Sequence, residues 1–147
     1  MTAPAYTWKF VCDLFGNRTP KLVTLEATTD LLTKVGTLVI MSSGQVDEAT
    51  ASAAEVIGIA AEEISTAATA TDPVQIYIIA PGMVIRGTAD ADASALQGFN
   101  GKTIDVNTDG SLDVADTTDG CLSVWRVNNS AGTEVDCVIT SGALIEV

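Results

Sequence analysis

Oxygen-bearing side chains recur at alternate positions in one stretch of the chain. Asp105, Asn107 and Asp109 precede Gly110, and Asp116 stands at the twelfth position counted from Asp105. This is the spacing in which a loop wraps a hard cation such as calcium. Positions 1, 3 and 5 supply oxygen ligands, the glycine permits the sharp turn, and a carboxylate at position 12 closes the shell. The same residues satisfy a plainer reading. Lys102 to Val106 and Ser111 to Ala115 read as two strands, and Asn107 to Gly110 as the hairpin turn between them. The motif occurs once, and Cys121 to Val127 after it reads as strand where a calcium loop of this type would run into helix. The hairpin is therefore the expected structure, without a bound ion, and calcium is the alternative.

Other reaction chemistry is limited by what the chain lacks. It contains no histidine, so the commonest general base and the commonest metal ligand are both missing. Ser-His-Asp and Cys-His arrangements cannot be built. There is no glycine-rich phosphate loop followed by lysine. Asp90 and Asp92 are close in sequence, but a solvated acidic turn accounts for them better than an acid/base pair. Cys12, Cys121 and Cys137 cannot all pair within one chain and show no C-x-x-C spacing. Free thiols are expected, although Cys121 and Cys137 could face each other on neighbouring strands. No enzyme is expected, and no catalytic or cofactor-binding residues are assigned.

Seven basic residues stand against nineteen acidic ones, for a net charge of -12. Phosphate backbones and anionic membranes repel such a chain, so neither is an expected partner. No stretch of 18 apolar residues is present, and the first residues lack the apolar run of a secretory signal. The basic charge is uneven. Lys9, Arg18, Lys21 and Lys34 fall in the first 34 residues, which carry +1 against -13 for the rest. The densest aromatic cluster lies in the same segment: Trp8, Phe10 and Phe15, with Arg18 close behind. Aromatics and arginine make good interface anchors, so these four residues are the candidate contact set. Gly16 to Pro20 is a natural boundary. Residues 1–19 are read as an N-terminal arm and 20–147 as a single β domain, with Trp125 in its core.

About eleven short apolar runs follow one another, separated by turn residues every 8 to 12 positions. The clearest is Pro73 to Ile79. This spacing predicts an all-β chain, an antiparallel barrel or sandwich with an extended N-terminal arm. The alanine-rich stretches 49–54 and 60–70 carry too many Ser and Thr residues for stable helix and are read as loops. One short helix is expected within Ala89 to Gly98, and a last strand over Leu144 to Val147.

Three segments carry a resemblance: VGTLVIMSSGQV (35–46), AAEVIGIA (53–60) and PVQIYIIAPGMVIRGTA (73–89). Their order resembles the capsid decoration, or cement, proteins of tailed bacteriophages, in which a G-x-L-V…G-x-V hairpin precedes a V-I-G-I-A strand and a hairpin around P-G. The resemblance covers about a third of the chain. It implies a barrel-like domain, a homotrimer at three-fold or quasi-three-fold positions, and the major capsid protein as partner. It places the protein on the outer capsid surface of the virion after synthesis in the host cytoplasm, with an N-terminal arm touching the shell. Two other readings stand beside it. One is a different virion module: tail tube, head fibre or spike. The other is a calcium-dependent carbohydrate-binding or cohesion module, because the Asp105 loop also resembles one dockerin repeat, including Leu112 and Asp116.

Overall fold

A computed structural model describes residues 3–49, 56–67, 72–98, 102–118 and 120–140. Among them the chain is all β, with a single 3-10 turn at Ser94–Leu96 inside the stretch expected to hold a short helix. Nine strands are formed: β1 (Lys9–Asp13), β2 (Lys21–Glu26), β3 (Leu38–Ser42), β4 (Gln45–Glu48), β5 (Gly58–Ala60), β6 (Pro73–Ile78), β7 (Met83–Thr88), β8 (Leu122–Val127) and β9 (Glu134–Ile139). They make two antiparallel sheets, one in the order β1-β7-β9-β8 and one in the order β2-β6-β5-β3-β4.

Local sequence accounts for much of the five-stranded sheet. In β6, Val74 and Ile76 are buried while Gln75 and Tyr77 are exposed, the two-residue period of a pleated strand. β3 and β4 are joined by Ser43-Gly44, both at positive φ. A two-residue turn of that hand matches the twist of the strands it joins. Both faces of the sheet are apolar. Val39, Val46, Ala60, Val74 and Ile76 pack with Ala27 and Leu31 in a smaller core, whereas Leu38 and Ile59 look into the main one. The sheet is curled, because Ala27 at the end of β2 bridges Val46 of β4 and the Thr28 amide donates to the Val46 carbonyl at 2.8 Å.

The chain passes between sheets at Pro81-Gly82. The resemblance implied a hairpin there, but β6 and β7 lie in different sheets, so the turn is a corner. Gly82 is held from two sides: the Leu14 amide donates to its carbonyl and its own amide donates to the Ile139 carbonyl, both at 2.9 Å. Its φ of +91° suits glycine, and a Cβ there would overlap the Phe15 ring.

The main core lies with Ile85, Val124, Val135 and Cys137 of the four-stranded sheet against Leu38 and Ile59. Trp8 is part of it at 2% exposure. Its ring lies over Gly87, where any side chain would collide with it, and its indole N–H donates to the Gly110 carbonyl at 2.7 Å. On the opposite face of the same sheet Asp136, with no exposed side-chain surface, gathers three donors: Arg86, Arg126 and Asn128.

Several expectations are corrected. The described part of segment 1–19 does not form a free arm, because Lys9–Asp13 is a strand paired along β7 and Trp8 is core. An indole is buried cheaply when its one donor finds an acceptor, and Gly110 supplies it. Lys102 to Val106 and Ser111 to Ala115 are not full strands; they contribute the isolated bridges Ile104–Leu122, Val106–Leu112 and Ala89–Leu112. Trp125 sits at a bulge in β8, half-buried, with the Arg126 guanidinium 4.7 Å from its ring centre. The strand expected over residues 144–147 and most of the alanine-rich stretch 49–54 fall outside the described residues.

Candidate functional site

The four candidate contact residues divide into two places. Trp8 is core, and Phe10 is half-buried against the same core, so neither offers its full ring to a partner. Phe15 and Arg18 meet at the tip that follows β1. Asp13 builds this tip. Its carboxylate accepts two hydrogen bonds from the Arg18 guanidinium, at 2.7 and 3.0 Å, and two more from the Phe15 and Arg18 amides, both at 3.1 Å. Arg18 also donates to the Pro81 carbonyl at 2.7 Å, which ties the tip to the corner between the sheets. Hydrogen bonding from Arg18 holds the Asp13 carboxyl well below the usual carboxylate range, so the clamp stays charged through the ordinary pH range. The Phe15 ring rests against Gly82 yet remains 79% exposed, the most exposed large apolar side chain among the described residues. Leu14 beside it is 37% exposed.

A second feature lies where the start of β1 passes the five-stranded sheet. A groove of about 680 Å³ runs there. Trp8, Phe10, Pro20, Val35, Ile59 and Tyr77 give it an apolar lining. Tyr77 and Val35 are exposed at 42% and 64%. Lys9, Arg86 and Glu134 supply its charge, and Arg86 is already committed to Asp136. Near Trp8 the β1 segment is tied down, since the Trp8 amide donates to the Gly36 carbonyl at 2.8 Å. From Lys9 onward β1 has, among the described residues, a strand on one side only.

The Asp105 loop folds as a turn. The Asn107 amide donates to the Ser111 carbonyl at 2.7 Å and the Gly110 amide to the Asn107 carbonyl at 2.9 Å. Asp109 accepts from the Ser111 amide and hydroxyl, the Asn107 side-chain NH2 donates to Asp90 and Ser111, and Asp116 accepts from the Thr118 amide. Asp105 is buried at 6% exposure. Asn107 and Asp109 share Ser111 as a partner while Asp116 turns to Thr118, and among the described residues no group of three or more His, Cys, Asp or Glu side chains is placed to hold a metal.

No disulfide links the three cysteines. Leu122 pairs with Ile139 and Val124 with Cys137, so Cys121 and Cys137 are offset along neighbouring strands rather than opposed. Burial pushes the Cys137 thiol far up, reinforced by Asp136 and Cys121, so it carries no nucleophilic thiolate at neutral pH. Among the described residues no helix is long and apolar enough to cross a membrane.

Sequence reasoning placed Phe15 and Arg18 in the candidate set but missed Asp13, which organises both, and missed Val35 and Tyr77, whose exposure depends on the packing of the sheets. A signal for Asp13 was present: an acidic residue five positions before an arginine across a Gly-Asn turn. Compared with models of known protein families and with curated proteins, the chain matches none.

Proposed function

We propose that this chain is a non-enzymatic viral structural protein that binds the outer surface of a tailed-phage capsid and stabilises it, as a decoration or cement protein does. The observation that carries the reading is the tip: Phe15 is 79% exposed and yet fixed in place by the Asp13–Arg18 clamp and the Gly82 corner. A fixed, exposed ring loses little freedom on binding, so most of its burial energy is available to the complex. The resemblance of residues 35–89 to cement proteins supplies the kind of partner. Covering one such ring contributes about 1.5–3 kcal/mol. A homotrimer presents three of them, and linked weak contacts become firm attachment. The acidic remainder of the chain, at -13, favours solubility of a densely coated particle.

Co-sedimentation with empty shells of a tailed-phage major capsid protein tests the reading. The protein is expected to pellet with shells and to raise their melting temperature. Phe15→Ala is expected to weaken attachment roughly ten- to hundredfold per site while leaving the free protein's melting temperature unchanged. Failure to pellet with shells, or full binding by Phe15→Ala, would overturn it.

A further inference from the structure

We infer that Arg126, stacked on Trp125 in β8, is an anchor for an aspartate or glutamate side chain of a partner protein. The inference does not depend on the capsid reading: the Phe15 tip follows β1, and β8 is the opposite edge of that sheet. It starts from the bulge. Successive side chains of a regular strand point to opposite faces. The register of β8 slips between Val124 and Arg126, and the extra residue lets two chain neighbours meet, with the Arg126 guanidinium 4.7 Å from the Trp125 ring centre. Bulges re-aim side chains in this way, often beside functional sites. The ring sets the plane of the guanidinium, and Asp136 holds it from below by accepting from Nε at 2.7 Å. Arg86 spends both Nε and Nη2 on the same carboxylate. Arg126 spends Nε alone, so its Nη1 and Nη2 groups make no hydrogen bond among the described residues, on a side chain that is 48% exposed. Two parallel N–H donors at the outer end of a guanidinium match the two oxygens of a carboxylate. Tryptophan and arginine are also the side chains that most often carry binding energy, and a fork already held in place loses little freedom on binding.

The surroundings select the guest. Arg86 and Arg126 stand opposite Asp136 on its two sides and share its single carboxylate, which leaves one positive charge over in a chain of -12. That carboxylate has no exposed surface, so a partner meets the guanidinium and not the acid beneath it. Farther along the same face Glu134 lies 3.9 Å from Arg86, and Lys9, opposite Arg86 on β1, offsets it. One negative charge is therefore matched here. A phosphate at about -2 is not. The fork stands on open surface, since neither Trp125 nor Arg126 lines the groove beside β1. A lone exposed ion pair contributes about 0.2–1 kcal/mol, too little to hold a free small acid, whereas a protein adds its own surface around the contact. Two copies at -12 repel each other, which assigns the carboxylate to a different chain.

The test uses the full chain, isotopically labelled for NMR, and short Gly-Ser peptides with a central Phe-Glu, Phe-Gln or Phe-phosphoserine pair. The phenylalanine gives the Trp125 ring an apolar neighbour. The side-chain N–H signals of Arg126 and Trp125 report binding. The glutamate peptide is expected to shift both signals saturably, and more weakly at high salt. The glutamine peptide is expected to bind about fivefold more weakly, and the phosphoserine peptide no more tightly than the glutamate one. Arg126→Lys keeps the charge and an ion pair to Asp136 but loses the fork, and is expected to weaken the glutamate peptide about three- to fivefold. Trp125→Ala is expected to weaken it similarly, with the melting temperature checking that each variant is folded. Equal binding of the glutamine peptide would overturn the charge argument, and equal binding by Arg126→Lys would overturn the fork. Tighter binding of phosphoserine would overturn the choice of carboxylate. No saturable shift into the tens of millimolar would overturn the anchor itself. Self-association of the protein alone that Arg126→Lys abolishes would overturn the choice of a different chain.

Discussion

Replacing Asp136 by asparagine tests how the four-stranded sheet is held together on its outer face. The carboxylate is fully covered and receives Arg86 Nε at 2.7 Å and Nη2 at 3.1 Å, Arg126 Nε at 2.7 Å, and Asn128 Nδ2 at 2.9 Å. Asparagine keeps the shape but loses the charge and turns one acceptor into a donor facing donors. Breaking a buried ion pair costs about 3–5 kcal/mol. Here the arginine side chains are 29% and 48% exposed and can be rehydrated, which places the cost near the lower end, at about 3 kcal/mol. For a chain of this size that is a fall in melting temperature of roughly 6–12 °C. The pH dependence carries the sign. Burial works to raise the Asp136 pKa, but hydrogen bonds from Arg86, Arg126 and Asn128 outweigh it, and the net displacement is downward. A carboxyl lowered in the fold stabilises above its unfolded pKa of about 3.9, and that stability is lost as pH falls through the folded value. The gap between wild type and Asp136→Asn is therefore expected to be constant from pH 5 to 8. By pH 3 it should have narrowed, because the unfolded chain takes up the proton before the folded one does. Urea unfolding at pH 7 and pH 3 measures both. A variant as stable as wild type at pH 7, or a gap unchanged at pH 3, would refute the reasoning.

Trp8→Ala removes a buried ring and orphans the Gly110 carbonyl, so a loss of about 3–5 kcal/mol is expected in the same denaturation assay; a loss under 1 kcal/mol would return Trp8 to the surface. Deleting residues 1–19 should unfold the protein for the same reason, read as loss of the cooperative thermal transition. A thiol reagent is expected to find one accessible cysteine, Cys12, in the native protein and all three in denaturant, since Cys121 and Cys137 are buried; rapid labelling of two or three without denaturant would contradict their placement. Arg18→Ala should loosen the Phe15 tip, seen as faster amide exchange at residues 14–18, while the melting temperature barely moves.

Much of the β architecture was legible because it is local. The alternation of Val74 and Ile76 with Gln75 and Tyr77, and the turn at Ser43-Gly44, each state their own conformation within a few residues. The Asn107–Gly110 turn was legible for the same reason. What was hidden depends on partners far along the chain. Trp8 is core because Gly87 leaves room for its ring and Gly110 accepts its N–H, and neither is suggested by the residues around position 8. The clustering of Trp8, Phe10 and Phe15 looked like one anchor. In fact Trp8 is core and Phe10 half-buried against it, whereas Phe15 on the turn faces out. Pro81-Gly82 has the chemistry of a hairpin turn, but the Ile139 carbonyl accepts from the Gly82 amide and the Leu14 amide donates to the Gly82 carbonyl, which makes it a corner. The groove could not be read at all, since its walls come from seven separate stretches of sequence.

The two sheets also differ in when they can exist. The five-stranded sheet uses only strands between Lys21 and Ile78, each near its partners in the chain, whereas β1 must wait for β7. Seventy residues separate Asp13 from Met83. At ribosomal speeds of about 5–20 residues per second, that is a delay of roughly 4 to 14 s. During synthesis the first strand and its tryptophan therefore leave the exit tunnel with no place to go, while the strands behind them already have theirs. The last sheet to close contains the first of the nine strands to be made, so synthesis of β7, β8 and β9, rather than local strand formation, sets the moment at which the main core becomes dry.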